Sequence, residues 1–162
     1  MRIGLGYDSH TFDEGRPCVL GGVTIPGAPG LTGFSDGDAV AHAVTDAILG
    51  AAALGDIGRH FPPGVEEWRD ADSVDLLRRA VAMIHEAGHR VGNVDVTVIC
   101  QEIRIAPHAR AMARVLAGAL EVEPSRVSVK GKTNEGMGWE GRGEGLAVHA
   151  AALLIQEPDG GP

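Results

Sequence analysis

Apolar and polar positions alternate from the first residues. Ile3, Leu5 and Tyr7 fall on one side and Gly4, Gly6, Asp8 and His10 on the other, a period of two that predicts a strand over 2–13. Residues 16–25 (RPCVLGGVTI) predict a hairpin turning near Gly21-Gly22, and the glycines and prolines of 26–33 predict a loop. The period then changes. Val40, Val44, Ala47, Ile48 and Ala51 form a helical stripe that runs to about Ala53, with Ser35 or Asp36 able to cap its start. Gly55-Asp56-Ile57-Gly58 ends it, and a proline-rich loop follows through Pro62-Pro63. A second helix opens at Ala71-Asp72-Ser73, carries Val74, Leu77, Val81 and Ile84 on one face, and stops at Gly88.

The clearest strand covers 91–103, with Val94, Val96, Val98 and Cys100 on one face. Pro107 is placed to begin a third helix, whose apolar face holds Met112, Val115, Leu116 and Leu120. A short strand follows over 127–131, then a glycine-rich loop over 132–145. Residues 146–155 (LAVHAAALLI) suit a strand or a short helix, and their place between a loop and a polar tail favours the strand. The order predicts an α/β fold, specifically an α+β sandwich. It has a mixed four- to five-stranded sheet, helices on one face and a ferredoxin-like layering. Residues 1–157 read as one domain and 158–162 as a frayed tail.

Composition narrows the possible partners. The chain has 162 residues and a formal net charge of −8, from 14 basic and 22 acidic side chains, which argues against nonspecific nucleic-acid binding. An anionic ligand would therefore need metal ions or local cationic groups. Cys18 and Cys100 form no metal-type pair in sequence and read as reduced thiols of a cytoplasmic protein. No signal peptide is visible, and the apolar run over 39–54 is interrupted by His42, Thr45 and Asp46, so no membrane span is expected.

Two clusters carry candidate chemistry. Asp8 and His10 share a strand face with Cα atoms about 7 Å apart, and Gly4 and Gly6 leave that face bare for a polar group to approach. His42 lies on the flank of the first helix's stripe, with Asp46 one turn on. One carboxylate and two imidazoles suit Zn²⁺ and leave a fourth tetrahedral position open. Asp46 would then be the acceptor that orients a ligand imidazole. These side chains come from separate elements, so spacing alone leaves their convergence open. The second cluster is VKGKTNE at 129–135, followed by GMGWEGRGEG. It offers lysines, a hydroxyl and glycines suited to phosphate, but lacks the order of a P-loop or a dinucleotide fingerprint. Glu135 fits a phosphate loop if a Mg²⁺ bridges it to the substrate. Asp56 by itself reads as a turn or cap residue, and His60, His85, His89, His108 and His149 have no spacing that singles them out.

DSH at 8–10, SDGD at 35–38, the helix with His42 and Asp46, LGDIG at 54–58, NVDV at 93–96, KTNE at 132–135 and GRGEG at 141–145 occur together and in order. With this set the chain resembles the 2-C-methyl-D-erythritol 2,4-cyclodiphosphate synthase family of non-mevalonate isoprenoid biosynthesis, from Met1 to about Gln156. The resemblance implies intramolecular phosphoryl transfer in 4-diphosphocytidyl-2-C-methyl-D-erythritol 2-phosphate, giving the cyclic diphosphate and CMP. It implies a homotrimer with active sites between subunits, and a central cavity that takes isoprenoid diphosphates in some relatives. It places a Zn²⁺-type ion on Asp8, His10 and His42, and a Mg²⁺ or Mn²⁺ on Glu135.

For the substrate, the resemblance implies contacts at Asp8, Ser9 and His10, and at Phe34 and Ser35. Asp56, Ile57 and Gly58 hold the methylerythritol part, with the loop of Phe61, Pro62, Pro63, Gly64 and Val65 nearby. Cys100, Gln101, Glu102, Ile103, Arg104, Ile105 and Ala106 form the cytidine pocket with Gly131, Lys132 and Thr133, and Asn134 and Glu135 continue that loop. Trp139 and Arg142 line the central region. Thr133 and the residue at position 34 are the family's transition-state positions, and Asp56 is a third catalytic candidate. The family commonly has histidine at 34, where this chain has Phe34, whose side chain has no donor to offer. FPPGV at 61–65 also lacks the acid common there. Gly131-Lys132 replaces a small residue and threonine, and Trp139 replaces a common phenylalanine. Motif chemistry alone leaves two other readings open, a metal-dependent phosphohydrolase and a non-catalytic trimer that binds a nucleotide or isoprenoid diphosphate.

Overall fold

A computed structural model of the chain describes residues 1–156. The tail expected over 158–162 lies outside them. Five strands form one mixed sheet in the order β4-β1-β7-β5-β6: β4 (Gly30–Leu31), β1 (Arg2–Asp13), β7 (Gly145–Gln156), β5 (His89–Ile99) and β6 (Val127–Lys132). β1 and β7 are antiparallel, as are β7 and β5, and β5 and β6 run parallel. A hairpin of β2 (Val19–Leu20) and β3 (Val23–Thr24) stands apart, turning at Gly21 and Gly22, which adopt φ of +57° and +69°. Three helices cover one face of the sheet: α1 (Ala39–Ala51), α3 (Ser73–Glu86) and α4 (Ala109–Ala119). Two single-turn helices, α2 (Ile57–His60) and α5 (Gly138–Gly141), complete the elements used below.

The core lies between helices and sheet. Val94, Val96 and Val98 of β5 and Leu146 and Val148 of β7 are buried against Val40, Val44 and Ile48 of α1 and Leu77, Val81 and Ile84 of α3. Gly4 and Gly6 leave their face bare for a helix, not for a polar guest. A Cβ on Gly4 would lie 1.9 Å from the carbonyl oxygen of Ala47, so α1 crosses β1 almost backbone to backbone. The other face carries Ile3, Leu5 and Tyr7, which are 76%, 78% and 51% exposed.

Asp38 caps α1 and ties it to the hairpin. Its carboxylate accepts N–H bonds from Val40 and Ala41 at the helix start and from Gly21 and Gly22 of the turn. Complete burial pushes its carboxyl upward, against the pull of the Ala41, Gly22 and Gly21 N–H groups.

Several boundaries differ from the expectation. β5 ends at Ile99, and residues 100–106 leave the sheet after Cys100 N–H binds the carbonyl of Lys132. α4 starts at Ala109, two residues after Pro107, because Ile105 and Pro107 form a preceding turn closed by His108 N–H on Ile105 C=O. The expected loops hold short order. β4 pairs with β1 through Phe12 and Leu31, α2 and a 3₁₀ turn at Glu66–Trp68 interrupt 55–69, and α5 interrupts the glycine-rich segment. These pieces are too short for a period to appear. Both cysteines are free and buried. Among the described residues no helix is long and apolar enough to cross a membrane.

Candidate metal centre

Asp8 and His10 project from β1 toward α1, and the glycine contact brings His42 down onto them. Asp8 Oδ2 lies 2.8 Å from His10 Nε2 and 2.9 Å from His42 Nδ1, and the two nitrogens are 3.3 Å apart. The donor set expected from the sequence therefore converges. Tetrahedral zinc ligands at bond lengths of about 2.0–2.1 Å sit about 3.3 Å from one another, so one oxygen and two nitrogens in this triangle fit such an ion. Among the described residues this is the group of three or more His, Cys, Asp or Glu side chains able to hold a metal. Among the described residues no fourth protein ligand joins them, which leaves a corner open, as in catalytic sites.

Without an ion the triad is held by charge. Burial, the largest influence on Asp8, raises its pKa, but the hydrogen bonds and charges of His10 and His42 bring it to about 2. Burial pushes His42 downward, and the hydrogen bond and charge of Asp8, with the charges of Asp38 and Asp36, more than reverse this, leaving it raised. Both shifts mark the groups that an ion would replace as mutual partners.

Asp46 does something other than expected. Its Oδ1 accepts the Ile57 N–H at 2.7 Å, fastening α2 to α1. The outer nitrogen of His42, Nε2, faces hydroxyls instead, at 2.8 Å from Ser73 Oγ and 3.0 Å from Ser35 Oγ. Sequence reasoning gives Ser35 a place and misses Ser73, which reads there only as the start of a helix. Its full burial at a helix terminus is the structural signal, and sequence patterning does not reveal it.

The other candidates fall into separate groups. A cavity of about 260 Å³ beside the triad is walled by Phe34, Ser35, His42, Ile57, Gly58, Phe61, Pro63, Trp68 and Leu76. Trp68 and Leu76 are absent from the sequence-based set. Trp68 meets Phe61 edge to face, with centroids 5.2 Å apart, and the Arg69 guanidinium lies 4.9 Å over the Phe34 ring. Pro62, Gly64 and Val65 do not line this cavity, and Asp56 caps α2, its Oδ1 accepting the Arg59 N–H.

A second cavity, of about 190 Å³, is formed by Cys100, Gln101, Ile103, Arg104, Ile105 and Ala106 with Gly131, Lys132 and Thr133. Its closure depends on Gly131, where a Cβ would lie 2.7 Å from that of Ile105. Glu102 does not line it and instead lies against Gly143. Thr133 Oγ1 donates to Glu135 Oε1 at 2.8 Å, and Asn134 bonds the Met137 carbonyl. Trp139 shares a shallow depression with Ser9, His10 and Thr11, while exposed Arg142 donates to Glu144. The two cavities share no lining residue, and Glu135 is not among the residues grouped with the triad. A further concavity, of about 460 Å³, lies at the start of β5 around His85, Arg90, Glu121 and Arg126, and shares none of these residues.

Comparison with known proteins places this geometry. The YgbB family profile matches residues 1–155. A 2-C-methyl-D-erythritol 2,4-cyclodiphosphate synthase of Laribacter hongkongensis is 57% identical over 154 residues, covering 95% of each chain. One of Gemmatimonas aurantiaca with the same name is 56% identical over 155 residues, covering 96% of this chain and 93% of that one. Among solved structures, the bifunctional IspDF from Campylobacter jejuni superposes with a TM-score of 0.92 at 40% identity, covering 96% of this chain and 42% of the longer one. A CDP complex of Plasmodium falciparum IspF superposes with a TM-score of 0.83 at 36% identity, covering 97% of both chains.

Proposed function

The chain belongs to the YgbB family, and from that premise we propose that it is a 2-C-methyl-D-erythritol 2,4-cyclodiphosphate synthase. Its substrate is 4-diphosphocytidyl-2-C-methyl-D-erythritol 2-phosphate, and its products are the cyclic diphosphate and CMP. The reaction makes it a phosphorus–oxygen lyase of isoprenoid biosynthesis. The observation that carries the reading is the open triad of Asp8, His10 and His42 beside a cavity walled by Phe34, Ser35 and Ile57.

Asp8, His10 and His42 hold a Zn²⁺-type ion, and Glu135 holds a Mg²⁺ or Mn²⁺ with the substrate diphosphate. Such cations supply charge neutralisation and Lewis-acid polarisation of phosphoryl oxygens. The protein's own part is positioning, since the 2-phosphate oxygen is already an anion and attacks within its own molecule. Orienting two ends of one substrate contributes on the order of 7–11 kcal/mol in well-aligned intramolecular reactions. Ile57, Gly58, Phe61 and Pro63 enclose the methylerythritol part next to the triad. The cavity of Cys100–Ala106 and Gly131–Thr133 takes the cytidine, a role favoured by the CDP complexes of related structures. Thr133 and the main chain of Phe34 donate to the transferring phosphoryl group.

Two observations favour assembly as a homotrimer with sites between subunits. The cytidine-side cavity and the metal-side cavity have no common wall within one chain. On the open sheet face Ile3, Leu5 and Tyr7 of β1 form an exposed apolar row beside His149, Thr97 and the Asp95–Lys130 pair. Trp139 and Arg142 then belong to the region around the trimer axis.

The test is direct. The protein is incubated with the cytidyl substrate and Mg²⁺ and followed by phosphorus NMR. Appearance of the cyclic diphosphate with CMP is expected. Linear phosphates alone would make it a phosphohydrolase, and tight CDP binding without turnover would make it a binding protein.

A further inference from the structure

We infer that Ser73 and Asp36 are positioning residues for the metal centre, forming a carboxylate–hydroxyl–imidazole relay that fixes which nitrogen of His42 is free to bind the ion. The inference deepens the metal-dependent reading above and rests on it.

The argument is one of donors and acceptors. Ser73 Oγ lies 2.5 Å from Asp36 Oδ1 and 2.8 Å from His42 Nε2. A carboxylate only accepts, so the Ser73 proton points to Asp36. A hydroxyl has one hydrogen, so toward His42 the Ser73 oxygen can only accept. The hydrogen in that contact therefore belongs to His42 Nε2. Without an ion Nδ1, the atom that faces Asp8 and His10, donates to Asp8 Oδ2; once an ion takes the place of that hydrogen, the neutral ring keeps its one N–H at Nε2 and Nδ1 offers its lone pair.

Asp36 is itself fixed. Its Oδ2 accepts the Ser73 N–H at 3.1 Å and its Oδ1 accepts the Asp38 N–H at 3.1 Å. The Ser73 hydroxyl is thus held from both sides, at the first residue of α3, in a position with no solvent exposure. No water competes for the direction of its proton there. Ser35 Oγ, 3.0 Å from the same Nε2 and 3.3 Å from Ser73 Oγ, can share the His42 N–H or donate to Ser73 without changing the assignment. The relay also explains why two acids of SDGD have separate tasks: Asp38 holds the start of α1, and Asp36 holds the start of α3 against the side chain that α1 presents.

The test reads metal affinity and tautomer, not turnover. Zn²⁺ affinity is measured by competition with a chromophoric chelator for the unmodified protein and for Ser73→Ala, beside thermal unfolding of the metal-free forms. Losing the partner of a ligating imidazole is expected to weaken Zn²⁺ binding 10- to 100-fold. A purely structural Ser73 would lower the unfolding temperature and leave affinity unchanged, which overturns the relay. Nitrogen-15 NMR of the zinc-loaded, unmodified protein supplies a reading that needs no variant. His42 protonated at Nε2 and metal-bound at Nδ1 is expected, and the reverse pattern overturns the relay whether or not Ser73→Ala folds. If the unmodified protein takes up no zinc, the metal reading itself fails and the relay with it. If it takes up zinc while either relay measurement fails, the metal reading stands alone.

Discussion

A Cβ on Gly6 would sit 1.9 Å from the carbonyl oxygen of Ala43, the residue next to His42. The contact makes a missing side chain part of the metal centre, because α1 can bring His42 to Asp8 only if β1 offers no atoms at that point. Gly6→Ala should push α1 away from the sheet. We expect a loss of about 1–3 kcal/mol or more of stability, as for an overpacked core. Zn²⁺ affinity should also fall by a larger factor than in Gly50→Ala, at the exposed position of α1, where a Cβ meets nothing within 4 Å. Denaturant unfolding and zinc titration of the same preparation check both. A variant that binds zinc like the unmodified protein would show that α1 is placed by other contacts.

How far this site is legible in the sequence follows from the same contact. Periods of two and 3.6 make β1, β5, α1 and α3 readable, since each buries one face over ten or more residues. They also put Asp8 and His10 on one face and His42 on the flank of a stripe. Neither period says which helix lies on which strand, so the meeting of the three rests on the family resemblance and on the structure. Gly4 and Gly6 are visible as a bare face, but a bare face suits a polar ligand as well as a backbone. Ser73 and Asp46 are illegible for a different reason. Each acts through hydrogen bonds across elements, Asp46 to Ile57 and Ser73 to Asp36, Ser35 and His42, a kind of contact that has no sequence period.

The protonation of the triad predicts opposite pH responses with and without metal. The pKa of His42 is raised in the folded protein, so its contribution to stability is full below the ordinary histidine value of 6.5 and is lost as pH rises through the raised value. Asp8 is lowered from 3.8 to about 2, so its contribution is full above 3.8 and is lost as pH falls toward about 2. The metal-free protein should therefore draw most from this pair between about pH 4 and pH 6.5, and its unfolding temperature should fall from pH 6 to pH 8 relative to a His42→Ala variant. Zinc binding needs the proton removed, so the stabilisation by zinc should grow over the same interval. Thermal unfolding with and without Zn²⁺ at several pH values measures both slopes. Parallel curves would contradict the arrangement.

Asp46 separates support of α2 from support of the metal. Its carboxylate holds the Ile57 N–H, and Ile57 and Gly58 wall the cavity beside the triad. Asp46→Ala should cost about 1.5–3 kcal/mol, the range for a hydrogen bond to a charged group. KM should rise while Zn²⁺ affinity stays the same. A drop in zinc affinity equal to that of Ser73→Ala would return Asp46 to the role of orienting His42.

The open face of the sheet predicts the assembly. Leu5 is 78% exposed between Ile3 and Tyr7, and the Tyr7 ring lies tilted against His149 of the neighbouring strand with centroids 5.0 Å apart. An aspartate at position 5 would put a charge in the centre of an interface that buries this face. If the proposed trimer is built on this face, light scattering should give the mass of three chains for the unmodified protein and a mass falling toward one chain for Leu5→Asp, with turnover abolished and one zinc still bound per chain. An unchanged mass would remove this face from the interface.

Phe34 stands where the family resemblance leads one to expect a histidine. Its ring lines the cavity with Ser35 and His42, its outer face is covered by the Arg69 guanidinium, and its carbonyl accepts the Asp70 N–H. The backbone there is tied down, so a change of side chain alters chemistry more than shape. An imidazole at this place can donate an N–H to a phosphoryl oxygen, which a phenyl ring cannot. Donors aimed at developing charge are worth about 10²–10³ in kcat where they are well placed. The site has not been tuned around histidine, so Phe34→His is expected to raise kcat on the order of tenfold, the lower end of such effects. KM should change little, because the added bond strengthens as charge builds on the transferring group. Steady-state kinetics with the cytidyl substrate decide the matter. If kcat stays level in Phe34→His but falls in Arg69→Ala, the guanidinium over the ring already supplies the charge that a histidine at position 34 would supply.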